Sequence, residues 1–173
     1  APERVAYLGT ASKSLAPALR LAWLALPGSL VEPVLARKAL ADLGSPAIDQ
    51  LVLARMLQSG AYDRHLRIVR RRYRARREAL VRAVERYLPG AAVTGAAAGL
   101  YLLLRMPVAF DGAKLRDAAR RRSVGVYPLG VAYFEPRRCD DGLIVGYANL
   151  PEPAIEEGIR RLALAFAEVS GAG

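Results

Sequence analysis

Over residues 62–88 the chain carries apolar side chains at Tyr62, Leu66, Val69, Tyr73, Leu80, Val84 and Leu88. This mostly three-and-four spacing predicts one long amphipathic helix, and no other fold element so constrains the chain. Its opposite face is basic, with Arg64, Arg67, Arg70, Arg71, Arg74, Arg77 and Arg82, and Pro89-Gly90 stops it. Everything else lies before or after this helix. Before it, strand-like runs at 4–9 and 19–26 flank a turn of small residues, and Pro27-Gly28 ends that unit. Helices are then expected over 29–43, with Ser29 as N-cap and Gly44 as terminator, and from Ser45-Pro46 to about residue 58. After it, short strands at 100–105, 124–127 and 143–148 alternate with helices at 112–122 and 152–169. The expected class is α/β, divided into 1–60, a connecting helix 61–88, and a lobe 89–173 that closes over a ligand.

A chain of 173 residues, 53% of them hydrophobic, is long enough for one real core. Its net charge of +10 invites a nucleic-acid partner. Yet only three of its 26 basic side chains are lysines, and arginine excess in an Ala- and Leu-rich chain reads as the codon bias of a GC-rich genome. A solvated helix face is the ordinary explanation of the arginine row, so a basic nucleic-acid-binding module stands as the third reading. Cys139 is the only cysteine and His65 the only histidine, which argues against a disulfide, a metal site and a Ser-His-Asp triad. No apolar run is long enough to span a membrane, so a cytoplasmic protein is expected. The chain starts at Ala1 without Met, and the apolar run at 5–8 begins almost at once, so a carboxy-terminal fragment is expected.

Lys13 stands in Gly9-Thr10-Ala11-Ser12-Lys13, too small-residued a turn for an ordinary surface lysine. With Thr10, Ser12 and Arg20 it offers an amine, two hydroxyls and a guanidinium within eleven positions. That set suits a phosphorylated aldehyde: the amine condenses with it as a Schiff base, and the other groups hold the phosphate.

The segment from Tyr7 to Leu21 resembles the lysine segment of fold-type I pyridoxal-phosphate enzymes, the class I/II aminotransferases. Leu15-Ala16-Pro17 before Leu19-Arg20 is similar to the MocR branch of GntR-type regulators, transcription factors with an aminotransferase-like domain. Arg64-His65-Leu66-Arg67 with the run from Arg71 to Leu80 resembles that branch's long helix. The run from Gly95 to Tyr101 resembles its small-domain entry, and 143–150 with 155–162 resembles its terminal strand and helix. The resemblance implies the carboxy-terminal part of the aspartate-aminotransferase-like fold: the end of the large domain plus a small α/β domain. It implies pyridoxal 5'-phosphate as cofactor, Lys13 as Schiff-base lysine and general base, and Thr10, Arg20 and less specifically Ser12 as phosphate holders. Ile144 falls where many aminotransferases carry the arginine for the substrate carboxylate. Arg137, Arg138 and Tyr101 are the candidates to take its place. The family's acidic partner for the pyridine nitrogen, its ring-stacking aromatic and its glycine-rich phosphate loop lie upstream of the lysine strand and are not found in this sequence. The implied function is the effector-sensing part of a MocR-type regulator that takes an amine or amino acid. Such a protein is homodimeric and reaches DNA only through an amino-terminal domain absent from this sequence. A self-standing aminotransferase is the alternative.

Overall fold

The computed structural model describes residues 2–95, 99–135 and 139–171. The chain divides into two units, Ala1–Val69 and Arg70–Gly173.

In the first unit, β1 (Tyr7–Thr10) and β2 (Ala22–Ala25) form an antiparallel hairpin with Tyr7 opposite Ala25 and Thr10 opposite Ala22. Both strands are shorter than the apolar runs that predict them. Helices α1 (Gly28–Asp42) and α2 (Ala47–Gln58) follow. Ser29 is not the N-cap of α1: Pro27 takes that position with φ −53° and ψ 141°, and Ser29 falls inside the first turn. A proline fixed near this φ serves as the entry residue, so no side chain is needed to set it. The end of α1 also differs from expectation, because Leu43 itself turns left-handed at φ 50° and its N–H donates to Ala39 O. Neither helix buries a residue, and Leu35, Leu40, Ile48 and Leu51 remain exposed.

Helix α3 (Ala61–Tyr87) is the expected long helix. Its apolar row behaves in two ways. Leu80 and Val84 are buried, with Leu88 just beyond, whereas Tyr62, Leu66, Val69 and Tyr73 are half-buried. The basic row is exposed except at Arg77, whose Nε is buried without a hydrogen-bond partner among the described residues.

The second unit is built on a four-stranded antiparallel sheet in the order β3-β4-β6-β5, from β3 (Ala92–Thr94), β4 (Tyr101–Asp111), β5 (Tyr127–Pro128) and β6 (Cys139–Gly146). Strand β3 carries too short an apolar run to be legible in the sequence. Strand β4 alternates buried Leu102, Leu104 and Met106 with less buried neighbours, the period-two pattern of a sheet covered on one face. It runs six residues beyond its expected end, through a register shift between Arg105 and Phe110. Pro107, lacking an N–H for the ladder, sits inside that irregular stretch. The strand expected at 124–127 is reduced to the Tyr127–Pro128 pair at the sheet edge, where proline is tolerated. Asp111 caps α4 (Gly112–Arg121), its carboxylate accepting from Ala113 N and Lys114 N at 3.0 Å each. Helix α5 (Glu152–Ser170) lends Ile155, Ile159, Leu162, Ala165 and Phe166 to one core with Leu104, Leu115 and Leu143. On its exposed side Arg160 and Arg161 both bind Glu157 and hold its carboxyl well below the usual carboxylate range, at about 2.

Candidate functional site

Strand β1 ends at Thr10 and β2 resumes at Ala22, its register partner, so residues 11–21 form one connection across the hairpin. Ala11 ties it down. Its N–H donates to Leu21 O at 3.0 Å, its side chain is fully buried, and its carbonyl accepts from Ser14 N at 3.2 Å and Leu15 N at 2.8 Å. Residues 11–15 are therefore a single helical turn. Lys13 stands exposed on this turn, with no hydrogen bond or ion pair among the described residues. Lys38, by contrast, is held by Asp42 and by Ser45 Oγ.

Thr10 Oγ1 lies 3.0 Å from Leu21 O and 3.1 Å from both Ser12 N and Ser12 Oγ. A carbonyl only accepts, so the one threonine proton goes to Leu21 O, and Thr10 Oγ1 accepts from the Ser12 N–H and hydroxyl. Thr10 thus closes a hydroxyl-bonded turn. Of the two hydroxyls, Ser12 has the proton more readily turned toward an incoming anion, because its present acceptor is an exposed oxygen.

Arg20 follows the short 3-10 turn Pro17–Leu19 and is left-handed, with φ 51° and ψ 26°. Among the described residues only Leu43 and Ser123 share a positive φ without being glycine. Such a backbone on a residue with a Cβ is disfavoured, and residues of this kind collect at functional sites. Its guanidinium is exposed and has no partner among the described residues.

Thus Thr10, Ser12, Lys13 and Arg20 are brought onto one hairpin connection. No acidic side chain lies between Thr10 and Leu21. An amine, the hydroxyls of Thr10 and Ser12 and a guanidinium unpaired among the described residues, with no carboxylate in the connection, are a donor set that fits a phosphorylated aldehyde.

Two supporting features escape sequence reasoning. First, a Cβ built on Gly9 would stand 2.1 Å from Trp23 Cε2, so the indole lies directly on the glycine backbone across the hairpin. Gly9→Ala is expected to push Trp23 aside and weaken the hairpin by about 1–3 kcal/mol, the usual range for overpacking. Trp23 is the only tryptophan, so its fluorescence reports this site alone. An emission maximum and unfolding midpoint both unchanged in the variant would refute the packing. Second, Ser14 is fastened to the start of α3: its Oγ lies 2.8 Å from Tyr62 OH, and its carbonyl 2.8 Å from His65 Nε2. The available signal was the i, i+3 spacing of Tyr62 and His65, which puts both on one helical face. Tyr62 belongs to the apolar row, yet its hydroxyl is the part that bonds Ser14.

Two other positions singled out in the sequence, Tyr101 and Ile144, stand in the second unit. Tyr101 opens β4 in the second unit, 54% exposed, with its ring over Gly146, where an added Cβ would meet it at 3.2 Å. Ile144 is half-buried and pairs with Leu103 and Tyr127, so the position opposite them carries no charge. Arg137 and Arg138 lie outside the described residues. Among the described residues no cluster of His, Cys, Asp and Glu is arranged to hold a metal ion, and no helix is long and apolar enough to cross a membrane.

No protein-family model matches the chain. It is 33% identical over 165 residues to the uncharacterized HTH-type transcriptional regulator YhdI of Bacillus subtilis, covering 95% of this chain and 35% of that protein. It is 30% identical to the "Probable rhizopine catabolism regulatory protein MocR" of Rhizobium meliloti, over 98% of this chain and 34% of the regulator. Among solved structures, the multiple substrate aminotransferase of Thermococcus profundus superposes with a TM-score of 0.89 at 28% identity, over 99% of this chain and 42% of the enzyme. The chain therefore spans about a third of the regulators it matches and about two fifths of the aminotransferase.

Proposed function

Since the chain belongs to the fold-type I aminotransferase family and has MocR-type regulators among its homologues, we propose that it is the carboxy-terminal part of a pyridoxal-phosphate-binding, effector-sensing domain. In this reading residues 1–60 end the cofactor-holding domain, 61–88 connect, and 89–173 form the small domain. The observation that carries it is the Lys13 turn, where an amine and a left-handed Arg20, each unpaired among the described residues, stand beside hydroxyls. When bound, pyridoxal phosphate supplies an aldehyde that condenses with primary amines and a ring that stabilises negative charge at the adjacent carbon. This chain's residues do the rest. Lys13 Nζ is the nucleophile and, once displaced by an incoming amine, a base that holds or returns a proton. Arg20 and Ser12 hold the phosphate, with Thr10 fixing the turn that presents Ser12. Tyr101, Arg137 and Arg138 are the candidates we propose for binding the effector.

The effector is an amine or amino acid, and the whole protein is a cytoplasmic homodimer that meets DNA through a separate amino-terminal domain. Ile144, a neutral side chain where many aminotransferases carry an arginine, offers no charge to an incoming carboxylate. The alternative, a self-standing aminotransferase, draws its support from the close structural likeness to such an enzyme.

The two readings separate in the full-length polypeptide loaded with pyridoxal phosphate. We expect amino acids to change its affinity for the DNA upstream of its own gene without sustained release of keto acid. Multiple-turnover keto-acid release with no effect on DNA binding would replace the regulator with the enzyme.

A further inference from the structure

We propose that Tyr62 and His65 are positioning residues for Lys13, acting through Ser14; this rests on the assignment of Lys13 as the aldehyde-binding amine. The turn at 11–15 has few anchors. Ala11 seals it to Leu21 and Ser12 is bonded to Thr10 Oγ1 within the hairpin; its fixed point outside the hairpin is Ser14, next in sequence to Lys13. Ser14 is gripped twice by one face of α3, at its side chain by Tyr62 OH at 2.8 Å and at its main chain by His65 Nε2 at 2.8 Å. Holding both the hydroxyl and the carbonyl of one residue restricts its χ1 and ψ, and so narrows the freedom of the turn from which the preceding Lys13 side chain leaves.

The protons are determined by the partners. A carbonyl only accepts, so His65 carries its proton on Nε2 and donates to Ser14 O. Ser14 Oγ also lies 3.4 Å from Ala11 O, toward which it donates, leaving Tyr62 OH to donate to Ser14 Oγ. The chain of donors runs from the helix through Ser14 to Ala11, and every acceptor in it belongs to the lysine turn. All three linked residues are half-buried, where a lost hydrogen bond is not fully replaced by water. The helix end is itself held, since Gly60 takes φ 68° and Arg64 donates to Ser59 O at 3.2 Å. Neither Tyr62 nor His65 touches a cofactor in this scheme; they hold the residue that aims the amine.

The test compares wild type, Tyr62→Phe, His65→Leu and His65→Gln in the full chain. Tyr62→Phe removes one hydroxyl without changing volume, and His65→Gln keeps an N–H donor of similar reach. Two quantities are read: amide hydrogen exchange at Ser14 and Leu15 without cofactor, and the rate at which pyridoxal phosphate becomes borohydride-trapped on Lys13. We expect exchange about tenfold faster and trapping about tenfold slower in Tyr62→Phe and His65→Leu, the effect of one lost hydrogen bond, with His65→Gln near wild type in both. Unchanged exchange in Tyr62→Phe and His65→Leu overturns the clamp. Faster exchange with unchanged trapping overturns the positioning role, as does a His65→Gln variant no better than His65→Leu. Wild-type protein that traps nothing on Lys13 overturns the functional reading itself and this role with it, while the exchange data still show whether the clamp exists.

Discussion

Replacing Lys13 by alanine is expected to reduce the borohydride-trapped pyridoxal-phosphate adduct to below about one hundredth of the wild-type yield, because no other group in the hairpin connection can condense with an aldehyde. Thr10, Ser12 and Ser14 are hydroxyls and Arg20 is a permanently charged guanidinium, so the reaction has one nucleophile. Lys13→Arg should behave as the alanine variant does, since it keeps the positive charge and loses the reactive amine. That pair separates a covalent role from a merely electrostatic one. Peptide mapping completes the measurement. Only two other lysines exist, and Lys38 is already committed to Asp42 and Ser45. An adduct that persisted at Lys38 or Lys114 in the variants would remove Lys13 from the site. Both variants should leave the hairpin intact, because the Lys13 side chain is exposed and contributes nothing to the bonds that close its turn.

The largest stability effect is expected in the second unit, from Leu143→Ala. Leu143 is fully buried in β6, opposite Leu104 on β4 and Pro128 on β5, and belongs to the core shared with Leu115 and Leu162. Truncation there removes buried methyl groups and leaves a cavity that strands paired on both sides cannot close, for a loss of about 2–5 kcal/mol. Urea unfolding followed by far-ultraviolet circular dichroism reads this effect through α4 and α5. Val108→Ala is the matched control. Val108 lies 52% exposed in the irregular part of β4, and its truncation should stay within about 0.5 kcal/mol of wild type. Equal effects at the two positions would show that the core is not where the buried side chains place it.

The elements most legible in the sequence are those whose signal is local. The long helix is legible because apolar residues recur every three or four positions, and α5 because it opens after Leu150-Pro151 with the same period. The start of α1 was not, because Ser29 and Pro27 both offer a start and only the backbone chooses between them. Strand β5 is shorter than the apolar run at 124–127 implies, because an apolar run does not say how many of its residues find a partner. The exposed leucines of α1 and α2 show the same limit, since composition marks them as apolar without indicating what would cover them.

For the site, the sequence by itself determined the chemistry on offer: an amine, three hydroxyls and a guanidinium within residues 10–20, with no acid among them. Residue types and their spacing are local facts, and functional-group chemistry follows from them. The tertiary structure alone decided how those groups are held. It committed the Thr10 proton to Leu21 O, laid Trp23 on Gly9, and brought Tyr62 and His65 to Ser14. Those contacts join residues from 11 to 51 positions apart. No periodicity encodes them, because hydrogen-bond partners at that separation are fixed by how the chain turns back on itself and by which donors find acceptors when water is excluded.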